Sequence, residues 1–331
     1  MAVAEVTVLV AVHNAAQYLP KCLDSLLGQT LCDIQVVCID DCSSDSSLDV
    51  LHGYASRDQR VTVLALDSNH GQAYARNEGL RVATGRFVAF LDSDDWFSPD
   101  ALQQAVSVFE AHPLTDCVLF DVVMWHDDEA PSMHYAMQPF NMLSGREAFE
   151  RSLDWGLHGI YIARRRLYAL HPYDDSCRAY SDDNTTRLHY LASREVRCCS
   201  GIYYYRQHTS SVSHKVSVRR YDHLRANESM KRSLLRLGLG HDVLRRYENL
   251  RWLVLIDTCM FHHLHANQLS RSERRYGMCE LRRVWRGIDR TLLDRRLTRK
   301  FGYLPMPSWT LFRLQEWLYF TVRGFLHRNS E

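Results

Sequence analysis

The chain of 331 residues has no uninterrupted apolar stretch of the roughly 18 to 20 residues that a membrane-spanning helix needs. Eight prolines and fifteen glycines are too few for a collagen-like sequence, and 46% apolar against 24% charged residues excludes intrinsic disorder. The ten cysteines show no metal-ligand spacing and no dense disulfide framework, so they read as thiols. The start, MAVAEVTVLVAVHN, has no basic region before its apolar run and no small-residue cleavage site. A reduced, cytoplasmic setting is therefore expected. There is no P-loop and no GxGxxG.

Charge is nearly balanced overall, at +1, but unevenly spread. From His214 onward there are 24 basic and 11 acidic residues, against 16 and 28 before it. An acidic body thus precedes a basic tail.

The body alternates short β-branched runs with amphipathic stretches. Val6 to Val12 is apolar nearly throughout, as a strand covered on both faces must be. Tyr18, Leu19, Cys22, Leu23, Leu26 and Leu27 then recur at helical spacing. Strands are predicted at 34–39, 61–66 and 87–91, with helices at 44–54 and 71–83 between them. This rhythm predicts a mostly parallel sheet with helices on both faces, binding ligands beyond the carboxyl ends of its strands. Ser98 is placed as a helix cap with Pro99 as the first helical residue. A strand is expected at 117–123, a surface excursion or lid at 126–143, and a helix with acids at its start over 181–192.

Three clusters fall just past strand ends. Asp92-Ser93-Asp94-Asp95 follows the fourth strand; in extended chain Asp92 and Asp94 share a side, which suits Mg²⁺ or Mn²⁺. An Asp-rich turn is the plainer reading of the same residues. Asp40-Asp41 follows the second strand, where a carboxylate can accept bonds from a ribose or a base. Asn69 to Gly79 starts a helix at Gly71 and carries Arg76, a combination that favours a phosphate.

In this order the stretches VTVLVAVHNAAQYLPKCLDSLLGQT, VVCIDDCSSDSS, NHGQAYARNEGLRVATGRFVAFLDSDDW, SDDNTTRLHYL and IYYYRQHTSSVS resemble bacterial-type inverting glycosyltransferases of family 2. The resemblance implies a GT-A fold, a Rossmann-like α/β domain over residues 1–213, followed by a basic α-helical extension over 214–331. It implies a nucleoside held by Val12, His13, Asn14, Asp40 and Asp41, with Asp41 the base contact. Gly71, Arg76, Asp92, Ser93 and Arg206 would complete nucleotide binding. Asp94 would be the direct ligand of Mn²⁺ or Mg²⁺, with His208 beside it. Asp183 would be the catalytic base and Asp182 its substitute. Trp96 is a candidate for the acceptor.

The implied activity is metal-dependent transfer of a hexose from a nucleotide sugar, UDP-linked by family habit, to a hydroxyl of a glycan or lipid-linked glycan in surface polysaccharide biosynthesis. A catalytically silent nucleotide-sugar-binding or assembly protein is the rival from another class. A nucleotidyltransferase would need a Gly-rich basic loop after the first strand, and His13-Asn14-Ala15-Ala16 is not one. No nucleic-acid reader is recognised. Oligomer formation stays open. For residues 219–331 solvated basic helices are the default. The alternative is contact with an anionic membrane through Trp309, Phe312, Trp317, Leu318, Phe320, Phe325, Arg313 and Arg323.

Overall fold

A computed structural model describes residues 4–126, 132–207 and 216–326. The chain divides into two compact units, Met1–Arg178 with Asp182–His214, and Ala179–Ser181 with Lys215–Glu331. The first contains β1 (Val6–Val12), α1 (Leu19–Leu27), β2 (Ile34–Asp40), α2 (Ser47–Ala55), β3 (Val61–Ala65), α3 (Gln72–Val82) and β4 (Phe87–Phe90). It continues with β5 (Trp96–Phe97), α4 (Ala101–Ala111), β6 (Thr115–His126), β7 (Met133–His134), β8 (Leu143–Ser144) and α5 (Gly145–Ser152). Then come β9 (Tyr161–Arg164), α6 (Arg165–Leu170), α7 (Asp182–Ala192) and β10 (Glu195–Gln207).

The strands form one sheet in the order β3-β2-β1-β4-β9-β6-β10-β5, with β7 beside β6 and β8 beside β10. β1 pairs in parallel with β2 and β4, β2 with β3, and β6 with β10. β9 runs antiparallel between β4 and β6, so β1 to β4, β6 and β10 all point one way. That common direction places the loops after β1 to β4 on one edge of the sheet.

Both faces of β1 are covered, which explains its unbroken apolar sequence. Val8 and Val10 share a core with Leu19, Cys22, Leu23 and Leu26 of α1. On the other face α3 comes so close that a Cβ on Gly79 would lie 2.7 Å from Ile39 and 3.0 Å from Leu9. Only glycine permits that approach.

The structure departs from the expected elements at two places and chooses between two readings at a third, the acidic turn. Ser98 does not cap a helix: its N–H donates to Ile202 O at 2.8 Å, its Oγ accepts the Ile202 N–H at 3.0 Å, and α4 starts only at Ala101. Residues 92–95 are not extended, because Asp95 N–H donates to Asp92 O at 3.0 Å and closes a turn. The expected lid is partly sheet. Met133–His134 pairs with Val123 and Met124, and residues 127–131 lie outside the described ones.

The second unit contains α8 (Asp222–Arg236), α9 (His241–His265), α10 (Arg271–Gly287), α11 (Arg295–Thr298) and α12 (Trp309–Phe325). Trp252, Leu255 and Cys259 of α9 form its core with Leu281, Trp285, Phe312 and Phe320. No helix among the described residues is long and apolar enough to cross a membrane.

Candidate active site

The loop after β1 is fastened to the loop after β2. Asn14 takes a left-handed backbone, φ +53°, which asparagine tolerates. Its Oδ1 accepts from Ser44 N–H at 2.7 Å and Asp45 N–H at 3.3 Å. This pull keeps Ser44 out of α2, which begins at Ser47. His13 is exposed and its Nδ1 donates to Asp41 O at 2.9 Å. Val12 O accepts the Asp41 N–H at 2.7 Å.

The two acids after β2 differ sharply. Asp41 accepts the His70 and Gly71 N–H groups, one on each carboxylate oxygen, both at 2.7 Å. Gly71 therefore does not present a bare amide at the start of α3. The amide that sequence assigns to a phosphate is instead bonded to Asp41. Asp40 is 2% exposed; its Oδ2 accepts Ser43 N–H at 3.1 Å, while its Oδ1 is buried without a hydrogen-bond partner. A buried unpaired acceptor marks a place where a donor is wanted.

Gly71 itself has φ +96° and ψ 163°, a region essentially reserved for glycine. A Cβ there would also touch the Arg178 backbone at 3.4 Å. We expect Gly71→Ala to lower unfolding free energy by about 1–3 kcal/mol in urea denaturation, and a loss below half of the lower figure would count against this strain.

Arg76 is likewise placed differently from the sequence expectation. It is 2% exposed, donates to Asp92 Oδ1 at 2.6 Å, and lies 4.1 Å over the Phe90 ring. Burial opposes its charge, but Asp92, Tyr173 and Asp182 hold the guanidinium protonated. Gln72 adds a second bond to the same Asp92 oxygen at 2.7 Å.

The last residue of the acidic turn is one to which the sequence reading gave no role of its own. Asp95 is buried, accepting Tyr203 O–H at 2.6 Å and Arg206 N–H at 2.8 Å. Tyr203 Oη in turn accepts the Asp92 N–H at 3.2 Å. The Arg206 side chain donates from Nε to Asp94 O at 2.9 Å. The acidic turn is thus pinned to β10 by pairings more than a hundred residues apart in sequence. The run Tyr203-Tyr204-Tyr205-Arg206 was visible, but its partner was not.

Acids from separate segments meet here. Burial, then Asp94 and Asp182, push the Asp92 carboxyl up, against the pull of Arg76. Burial and the charges of Asp92 and Asp94 raise Asp95 further. At the start of α7, burial and Asp182 push Asp183 up to about 7, opposed by Arg187 one turn later. Asp182 therefore lies close enough to act on both Asp92 and Asp183. Such crowding of hard oxygen donors fits a divalent cation, which removes the repulsion. Among the described residues no three His, Cys, Asp or Glu side chains group as a ready-made cage. His208, expected beside the metal, lies outside the described residues.

Trp96 offers no open face. It is 8% exposed, stacked on Tyr204 at 5.2 Å, with Lys21 Nζ 3.3 Å from its ring centre. Ser93 is half-buried in the turn.

Residues 7–182, more than half of the chain, match the profile of Glycosyl transferase family 2. The chain belongs to glycosyl transferase family 2. It is 31% identical over 216 residues to EpsH of Bacillus subtilis (strain 168), a glycosyltransferase by assignment, and 28% identical over 219 residues to EpsJ of the same organism. The chain spans 62% of the length of each. The fold is similar to that of S. aureus TarS 1-349, solved in complex with UDP-GlcNAc, with a TM-score of 0.72 over 98% of this chain and 92% of that one. At 18% identity that likeness concerns the fold alone, a GT-A-like α/β domain with a helical C-terminal part. The Pyrobaculum calidifontis mannosyltransferase PcManGT, in complex with GDP-Man and Mn²⁺, is more distant, with a TM-score of 0.53 over 98% of this chain and 88% of that one.

Proposed function

We propose that the first unit is the catalytic domain of an inverting glycosyltransferase that moves a hexose from a UDP-linked donor to a hydroxyl of a glycan or lipid-linked glycan in surface polysaccharide biosynthesis. One observation carries the reading: Tyr203 and Arg206 of β10 hold the Asp92–Asp95 turn after β4, and the charge of Asp182, at the start of α7, adds to the upward push on the Asp92 carboxyl. Two acidic segments that are ninety residues apart in the chain thus act on one another electrostatically.

The nucleoside rests against Val12, His13, Asn14, Asp40 and Asp41. The unpartnered Asp40 Oδ1 supports this, since a base or ribose brings the missing donor. Asp94 would hold a divalent cation, with Asp92 and Ser93 toward the ribose. When bound, that cation neutralises the diphosphate. Arg206, tied to the acidic turn through its backbone and Nε, adds positive charge on the same side.

The acceptor oxygen attacks the anomeric carbon from the face opposite the diphosphate. Asp183 takes the hydroxyl proton as the new C–O bond forms. The old C–O bond breaks with its electron pair on the nucleoside diphosphate, and the configuration inverts. Burial, and then Asp182 beside it, make Asp183 a stronger base than an ordinary carboxylate.

A panel of nucleotide sugars assayed for nucleoside diphosphate release tests this. Release from a UDP-sugar is expected, stopped by chelator and restored by Mn²⁺ or Mg²⁺, with Asp94→Asn slower by at least about 100-fold. A folded chain that binds a UDP-sugar, is stabilised by it and never releases UDP would be the silent binding protein instead.

A further inference from the structure

We propose that the second unit docks on an anionic lipid bilayer through α12, which lies along the interface rather than across it. The helix is two-sided. Phe312, Glu316 and Phe320 are buried in the unit. On the other side Leu311, Leu314, Leu318, Val322 and Phe325 follow at steps of three and four, so they form one row. All five are exposed, from 41% at Leu318 to 81% at Phe325. Trp317, at the edge of the row, is exposed as well. Single exposed leucines are ordinary; a continuous row marks a contact surface.

The surrounding charge selects the occupant. Residues 295–326 contain six basic side chains, Arg295, Arg296, Arg299, Lys300, Arg313 and Arg323, and one acid, Glu316, which is buried. The basic segment is held against the helix. Phe301 packs edge-on to Tyr319 at 6.1 Å, and a Cβ on Gly302 would fall 2.4 Å from the same ring. Arg295, Arg296, Arg299 and Lys300, all exposed, therefore flank the apolar row. Arg313 and Arg323 lie along the rings of Trp309 and Tyr319 at 5.9 and 5.6 Å on the opposite side of the helix, where Arg313 acts on the buried Glu316.

An apolar row edged by cations and an interfacial tryptophan matches the boundary between acyl chains and phosphate headgroups. A second copy docked on the same row would bring these cations face to face, which is repulsive. The sequence-based set changes accordingly: Phe312 and Phe320 belong to the core, and Leu311, Leu314 and Val322 take their place.

Sedimentation of the full chain with vesicles tests the inference and needs neither donor nor acceptor, so its outcome is separate from that of the transfer reaction. Binding is expected to equimolar phosphatidylglycerol and phosphatidylcholine at low salt, and little to phosphatidylcholine alone. Leu314→Glu with Leu318→Glu should abolish it, and Arg299→Glu with Lys300→Glu should weaken it by about tenfold or more. Unchanged circular dichroism and melting temperature are expected in both variants, since all four side chains are exposed. Failure to bind anionic vesicles, equal binding to neutral ones, or a dimer dissolved by Leu314→Glu would each overturn the proposal.

Discussion

Asp183→Asn is expected to lower the rate of sugar transfer by about 100- to 10,000-fold, the usual contribution of a positioned general base. Donor binding should be nearly unchanged, because the role assigned to this side chain is toward the acceptor hydroxyl. The pH profile supplies the sharper test. Burial and the neighbouring Asp182 push Asp183 up to about 7, so the base is protonated and idle below that pH. Turnover at saturating substrate should rise tenfold per pH unit on the acid side and level off above about 7. The stability effect has the opposite sign. A raised carboxyl pKa means that ionisation costs the folded state free energy as pH climbs through it, and Asn escapes that cost. The variant should therefore melt no lower than the parent at pH 8. Full turnover by Asp183→Asn, or an acid limb left near pH 4, would remove Asp183 from the mechanism and direct attention to Asp182.

Arg76→Met should produce the largest loss of stability, about 3 kcal/mol in urea unfolding. The arginine is buried and bonded to Asp92 at 2.6 Å, so its removal leaves a carboxylate among Asp94, Asp95 and Asp182 without its guanidinium partner. The figure is at the lower end for a broken buried pair because the Asp92 side chain keeps 29% of its surface in water. The pH dependence tells charge from packing. The Asp92 carboxyl is already raised with Arg76 present and rises further without it, so the variant should lose less stability at pH 5, where Asp92 is protonated, than at pH 8. A penalty equal at both values would mean that Arg76 acts by filling space over Phe90. Donor KM should rise as well, since Asp92 is the residue proposed to meet the ribose.

The alternation of strands and helices was legible because each element covers its neighbour with a characteristic period. β1 and β2 fall within a residue of their expected ends. The acid clusters were legible as well, since nothing in a loop requires three carboxylates in four residues. What each acid does was not. Asp40 and Asp41 are adjacent and identical in kind, yet one accepts the amides of His70 and Gly71 while the other keeps a buried oxygen without a partner. Arg76 looked like a phosphate ligand because helix position alone cannot reveal a carboxylate sixteen residues later that returns beside it.

By itself the sequence determined the first four strands with the helices between them, the edge on which their loops gather and the family to which the chain belongs, all consequences of local periodicity and short motifs. Only the tertiary structure decided that Ser98 serves β10 rather than α4, that Asp95 and Tyr203 hold the acidic turn, and that α12 keeps a bare apolar row. Those outcomes depend on which distant groups arrive beside a residue, and the free energy of a buried hydrogen bond or ion pair exceeds the weak local preferences that a sequence displays.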